Sequence, residues 1–172
     1  MTLTILQAGH PILRQPAQPV REVGDPQIQQ LAGDLVAVCR AAQGVGLAAP
    51  QVGVSLQMLV VASRPNPRYP EAPLMEPLVM INPEIIAQAQ EQVWGWEGCL
   101  SVPQQRGLVA RAPWVQVQYV TVQGEVVRQE FTDFVARIVQ HEWDHLQGRL
   151  FLDRQPRQLL TETEYQARIL GA

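Results

Sequence analysis

The stretch W-V-Q-V-Q-Y-V-T-V-Q-G-E-V-V-R-Q-E-F-T-D-F-V-A-R-I-V-Q-H-E-W-D-H-L-Q-G, residues 114–148, changes its hydrophobic period part-way, and that change sets the fold class. From Trp114 to Phe131 apolar and polar residues alternate around Gln123-Gly124, the signature of a β-hairpin. Beyond Thr132 or Asp133, either of which suits a helix cap, the period becomes helical and runs to about Gln147, with Gly148 as the stop. Phe134 and Ile138 lie on the same face as His141, so helix 133–147 is expected inside the protein.

The rest of the chain fits around this unit. Asp25 caps a first helix, Pro26 suits its first turn, and Ile28, Leu31, Leu35, Val36 and Cys39 form its apolar stripe, with Gly44 as the expected stop. Strand-like segments follow at Leu56–Ala62 and Leu78–Asn82. The proline-rich stretch Arg64–Pro77 between them reads as a surface loop. The segment after Phe151 offers only Thr161–Leu170 as a helix. Short strands without regular βαβ alternation predict an α+β fold, with antiparallel β-sheets packed around the central helix in a single domain spanning residues 1–172.

Composition narrows the function. The chain has 172 residues, 47 % apolar and 17 % charged, with 13 basic and 16 acidic side chains. A net charge of −3 argues against broad nucleic-acid binding. No apolar run is long enough for a membrane helix, and the opening residues lack the pattern of a secretory signal. Two cysteines, Cys39 and Cys99, are too few for a disulfide framework. A reducing cytoplasm is the expected setting, and Cys39, on the apolar stripe, is expected in the core.

Two of the three histidines stand in H-E-W-D-H, residues 141–145. On a helix, residues four apart project from one face, so His141 and His145 can hold a divalent metal with Glu142 beside a water molecule. A catalytic site needs a third ligand. The extended pattern H-E-x-x-H-x-x-G-x-x-H fails, because its last position is Phe151. Glu162 or Glu164 downstream and Cys99 upstream remain open as the third ligand. Cys99 has two further readings, as a buried structural residue or as a nucleophile. Asp144 suits the solvent side, or accepts from a ligating imidazole. The segment G-V-G-L-A-A-P-Q-V-G, residues 44–53, allows close backbone approach and carries Gln51, its single polar side chain able to donate to an oxyanion.

Taken together, Gly44-Val45-Gly46-Leu47-Ala48-Ala49-Pro50-Gln51, Glu97-Gly98-Cys99-Leu100-Ser101 and Gln140-His141-Glu142-Trp143-Asp144-His145-Leu146 resemble the three motifs of peptide deformylase, in the family's order. Gly9-His10-Pro11-Ile12-Leu13-Arg14 resembles its N-terminal segment. The resemblance implies removal of the formyl group from the N-terminal formylmethionine of new polypeptides. It implies a metal held by Cys99, His141 and His145, with Glu142 as proton acceptor and the Gln51 side chain and Leu100 N–H as oxyanion donors. It also implies a Glu97–Arg111 pair and an extended peptide near Gly46, with Phe134 and Ile138 as candidates for the methionine pocket. Ferrous iron is the ion implied in the cell, with zinc, nickel or cobalt in preparations. The expected partners are N-formylmethionyl nascent peptides and the ribosome exit region, for a monomer in the bacterial cytoplasm. A small metallopeptidase using Glu162 or Glu164, or a metal-binding module without turnover, are the rival readings.

Overall fold

In the computed structural model, which describes residues 3–171, Asp25 accepts from the Gln27 N–H at 2.8 Å and opens α1 (Pro26–Ala41). The helix ends differently from expectation. Gln43, not Gly44, takes the left-handed conformation (φ 54°) after the last turn. Gly44 serves a different need: a Cβ there would sit 2.9 Å from Leu100 Cδ1 and 3.4 Å from Cys39 Sγ.

Strands β1 (Gly46–Ala48), β2 (Met58–Val61) and β3 (Leu78–Gln88) follow, and then β4 (Val93–Cys99) and β5 (Val102–Arg111). The predicted hairpin is β6 (Trp114–Val120) and β7 (Val126–Thr132), paired from Trp114↔Thr132 to Val120↔Val126, with Gly124 at φ 87° in its turn. Helix α2 (Asp133–Leu146) comes next, then β8 (Gln158–Thr161) and the short α3 (Glu162–Tyr165). Two antiparallel sheets result, ordered β1-β2-β3-β6-β7 and β4-β5-β8.

Helix α2 lies between them. One side packs Ala136, Ile138, Val139 and Leu146 against Ala48, Leu59, Val61, Met80, Val115, Val117 and Phe131. The other side bonds to the smaller sheet: Arg137 donates to the carbonyls of Gly95 and Val109, and Gln140 pairs both ways with the Ala112 backbone. The start of α2 departs from expectation, since the Thr132 side chain makes no capping bond and Asp133 sits at φ 52°. Its anchor is instead the bond from the Asp133 N–H to the Pro113 carbonyl, 2.8 Å. Among the described residues, no helix is long and apolar enough to cross a membrane.

Candidate metal centre

Three chain segments meet at the C-terminal half of α2. The helix presents His141 and His145, with ring centroids 5.1 Å apart. Strand β4 delivers Cys99 at its end, where the ladder to β5 slips in register after Gly98. The ligand atoms of Cys99, His141 and His145 all lie within 4.8 Å of one another, and Cys99 Sγ is 3.4 Å from His145 Nε2. A tetrahedral ion with bonds near 2.0–2.3 Å needs separations of roughly 3.3–3.6 Å for one sulfur and two nitrogens, a range the Cys99–His145 pair already meets, so this donor set fits a divalent metal. Glu162 and Glu164 do not join it. Glu162 accepts from Arg106 Nε at 2.7 Å, and Glu164 closes a capping box with Thr161.

The His141 ring is fixed from behind. Its Nδ1 lies 2.8 Å from Glu97 Oε1, which leaves Nε2 for the metal. Glu97 also takes Nε and Nη2 of Arg111, each at 2.8 Å, and Nη1 of Arg137. Burial alone would raise the Glu97 carboxyl, but Arg111 and His141 hold it well below the usual carboxylate range. Asp144 departs from both expectations. It is buried and touches neither imidazole; its oxygens accept from Arg111 Nη1 at 2.6 Å and Arg154 Nε at 2.9 Å. Arg111 thus ties Asp144 to Glu97, and Glu97 is the acceptor that orients a ligating histidine.

Burial and the positive neighbours His141 and Arg111 hold His145 well below the ordinary histidine value, so its lone pair is available. Burial pushes His141 the same way, but its hydrogen bonds with Cys99 and Glu97 outweigh this and raise it well above that value. The space between the thiol and Glu97 therefore favours a cation. Glu142 is 4 % exposed, has one carboxyl oxygen without a hydrogen-bond partner, and is pushed up to about 7, chiefly by burial.

Gln51 sits on the turn Ala49–Val52, where its Oε1 accepts from the Ala48 N–H at 2.9 Å. That bond turns the amide nitrogen toward Ser101 Oγ, 3.1 Å, and Cys99 Sγ, 3.7 Å. Gly46, Gln51, Cys99, Leu100, His141 and Glu142 line one small cleft, while Phe134 and Ile138 line a second that also reaches His141 and Glu142. Arg68 and Tyr69 of the proline-rich loop were not anticipated as site residues. Tyr69 accepts from the Gly98 N–H at 3.1 Å, its ring lies 5.0 Å from that of Phe134, and Arg68 lines the cleft beside Cys99. Loop composition signals exposure, and only the tertiary path shows where such a loop lands.

A family model for polypeptide deformylase matches residues 2–159. The chain belongs to the peptide deformylase family. It is 55 % identical to peptide deformylase 2 of a Nostoc species over 166 residues, which covers 95 % of this chain and 93 % of that protein. The Met-Ala-Ser-bound class I type b peptide deformylase of Acinetobacter baumannii superposes with a TM-score of 0.86 at 49 % identity, covering 90 % of this chain and 98 % of that one. The Thermotoga maritima peptide deformylase gives 0.80 at 34 %, covering 90 % and 97 %. Like other deformylases, this chain is a metal-dependent hydrolase that removes the N-formyl group from nascent peptides, and Cys99, His141 and His145 form its metal site.

The second cysteine stands apart from this chemistry. Cys39 is fully buried, and burial, helped by the negative charge of Glu142, pushes its thiol up to about 12. Only the thiolate is nucleophilic, so at pH 8 native, metal-loaded protein is expected to leave Cys39 unmodified by iodoacetamide, and unfolded protein to react at it. Peptide mass mapping of the two samples reads this directly; rapid native labelling of Cys39 would contradict its core placement.

Proposed function

We propose that deformylation is divided among the residues of this centre as follows. The reading rests chiefly on Glu142, a buried carboxyl with a free oxygen beside the three ligands. A divalent ion held by Cys99, His141 and His145 supplies Lewis acidity to a water molecule and to the formyl carbonyl. Glu142 takes the proton as the water oxygen bonds to the formyl carbon, and returns it to the amine nitrogen as the C–N bond breaks and formate leaves. The Gln51 amide and the Leu100 N–H meet the charge gathering on the carbonyl oxygen, and the fixed orientation of the Gln51 amide supports that role.

The peptide lies extended beside Gly46 and the segment after Leu100. Its methionine side chain points toward Phe134 and Ile138, whose shared cleft with His141 and Glu142 supports the placement. The Acinetobacter relative was crystallised with Met-Ala-Ser, the peptide that remains once formyl-Met-Ala-Ser is deformylated. Ferrous iron is the ion in the cell by resemblance to the family, while one thiolate and two imidazoles equally accept zinc, nickel or cobalt. The setting is the bacterial cytoplasm, where a monomer works on chains leaving the ribosome.

Formate release from formyl-Met-Ala-Ser by anaerobic, iron-loaded protein tests the reading, with acetyl-Met-Ala-Ser and an unformylated peptide as controls. Rapid release from the first and negligible cleavage of the others is expected. Substantial cleavage of acetylated or internal amides would favour a general metallopeptidase.

Gly46 sharpens the test. A Cβ there would lie 2.6 Å from Glu142 Oε1 and 2.8 Å from Ile138 Cγ2. Gly46→Val therefore displaces the carboxyl, and a misplacement near 1 Å typically lowers a rate by about 10². We expect that loss in kcat/KM on formyl-Met-Ala-Ser with metal content unchanged. Activity near wild type would show that Glu142 needs no fixed position.

A further inference from the structure

Behind α2, the end of β3, the end of β5 and the segment after α2 enclose a second cleft of about 480 Å3. None of Cys99, Glu142, His141 or His145 lines it. Its polar lining includes Arg111, Arg149, Arg154, Gln88 and Gln92, with Trp143 alongside, and no carboxylate. That is uneven for a chain with 16 acidic and 13 basic residues.

The positive charge there is not fully neutralised from within. Two of its guanidiniums, Arg111 and Arg154, are matched by two buried carboxylates, Glu97 and Asp144, and Glu97 is shared with Arg137 outside the cleft. The charge of Arg149 comes on top of that balance. Arg111 is committed, with all three nitrogens bonded to Glu97 and Asp144. Arg154 uses Nε and Nη2 on Asp144, which leaves Nη1. Among the described residues no carboxylate pairs with Arg149, which is exposed at the cleft wall.

A concave site lined by one sign of charge concentrates its field and gathers counter-ions. Guanidinium forks match the geometry of phosphate and carboxylate oxygens, and the side-chain amides of Gln88 and Gln92 add donors. The volume is that of a small-molecule site. We infer that this cleft binds a compact oxyanion, the phosphate or carboxylate group of a small molecule, between Arg149 and Arg154. Arg154 is also the outermost member of the chain Arg154–Asp144–Arg111–Glu97–His141, so the ligand contacts the surface end of the network that holds a metal ligand.

Zinc-loaded, 15N-labelled protein titrated with inorganic phosphate, and separately with citrate, at fixed ionic strength tests this. Saturable shifts are expected at the Trp143 indole N–H and the Gln88 and Gln92 side-chain amides. Arg149→Ala should weaken binding at least about 10-fold, the usual scale for one charge-assisted contact. Arg128→Ala, on β7, should leave it unchanged. Tighter citrate binding assigns the carboxylate group, and tighter phosphate binding the phosphate group. Shifts that never saturate, shifts confined to the Cys99 and Leu100 amides, or equal affinity in Arg149→Ala would overturn the inference.

Discussion

Glu142→Gln is expected to keep its metal and to deformylate at least about 10²-fold more slowly, the scale of a lost general base. The substitution preserves shape, and Glu142 is not among the three residues whose ligand atoms converge. What it removes is the ability to take a proton. Among the described residues, no other carboxylate beside the three ligands stands ready to do so. Glu97 and Asp144 are buried, but their oxygens are engaged by Arg111, Arg137, Arg154 and His141. Glu142 alone among the buried carboxylates here has an oxygen with no partner, and burial holds it near neutrality. Metal content per chain, the thermal midpoint and kcat on formyl-Met-Ala-Ser separate the cases. Lost activity with full metal and an unchanged midpoint is the expected pattern. Near wild-type turnover would place the proton elsewhere.

The elements legible in the sequence are those whose burial follows a simple period. Trp114–Thr132 alternates because one face of β6 packs on α2, and α1 shows its stripe because one side only is buried. Strands β4 and β5 stayed hidden because charged residues face inward: Glu97, Arg106 and Arg111 are each at most 3 % exposed. A pattern reader assigns such residues to solvent, and only their mutual pairing makes the burial tolerable. Strand β3 continues past Asn82 because an irregularity between Ile81 and Glu84 absorbs Pro83, which in the sequence marks an end.

The site divides along the same line. His141 and His145 are legible because their spacing is local to one helix. Phe134 and Ile138 are legible as a face, though whether that face meets core or ligand is not a sequence property. The burial of Asp144 is not legible, because its partners, Arg111 and Arg154, come from other elements. Cys99 stands 46 residues before His145, and no local period brings the two together. Its role came from the resemblance of three motifs, and the convergence of the three ligand atoms is what supports it independently.

Cys99→Ala tests that convergence most severely. Two imidazoles one helical turn apart remain, but a thiolate is both the softest and the single charged donor of the set. Removing a hydrogen-bond partner outside the ligands usually lowers metal affinity 10–100-fold, and losing a ligand outright should exceed that. We expect protein purified with the metal in the buffer, then passed through a desalting column, to retain little of it and to show no measurable formate release. The fold should survive, because Cys99 closes β4 through backbone pairing with Val102, and the truncation removes one sulfur atom from a small cluster beside Val109 and Phe151. Circular dichroism and the thermal midpoint of the metal-free forms check this. Glu164→Gln is the matched control: that half-buried residue caps α3, and the variant should keep its full metal complement. Stoichiometric metal in Cys99→Ala, or its loss in Glu164→Gln, would return the third ligand to the C-terminal segment, against the 2.7 Å bond that already commits Glu162 to Arg106.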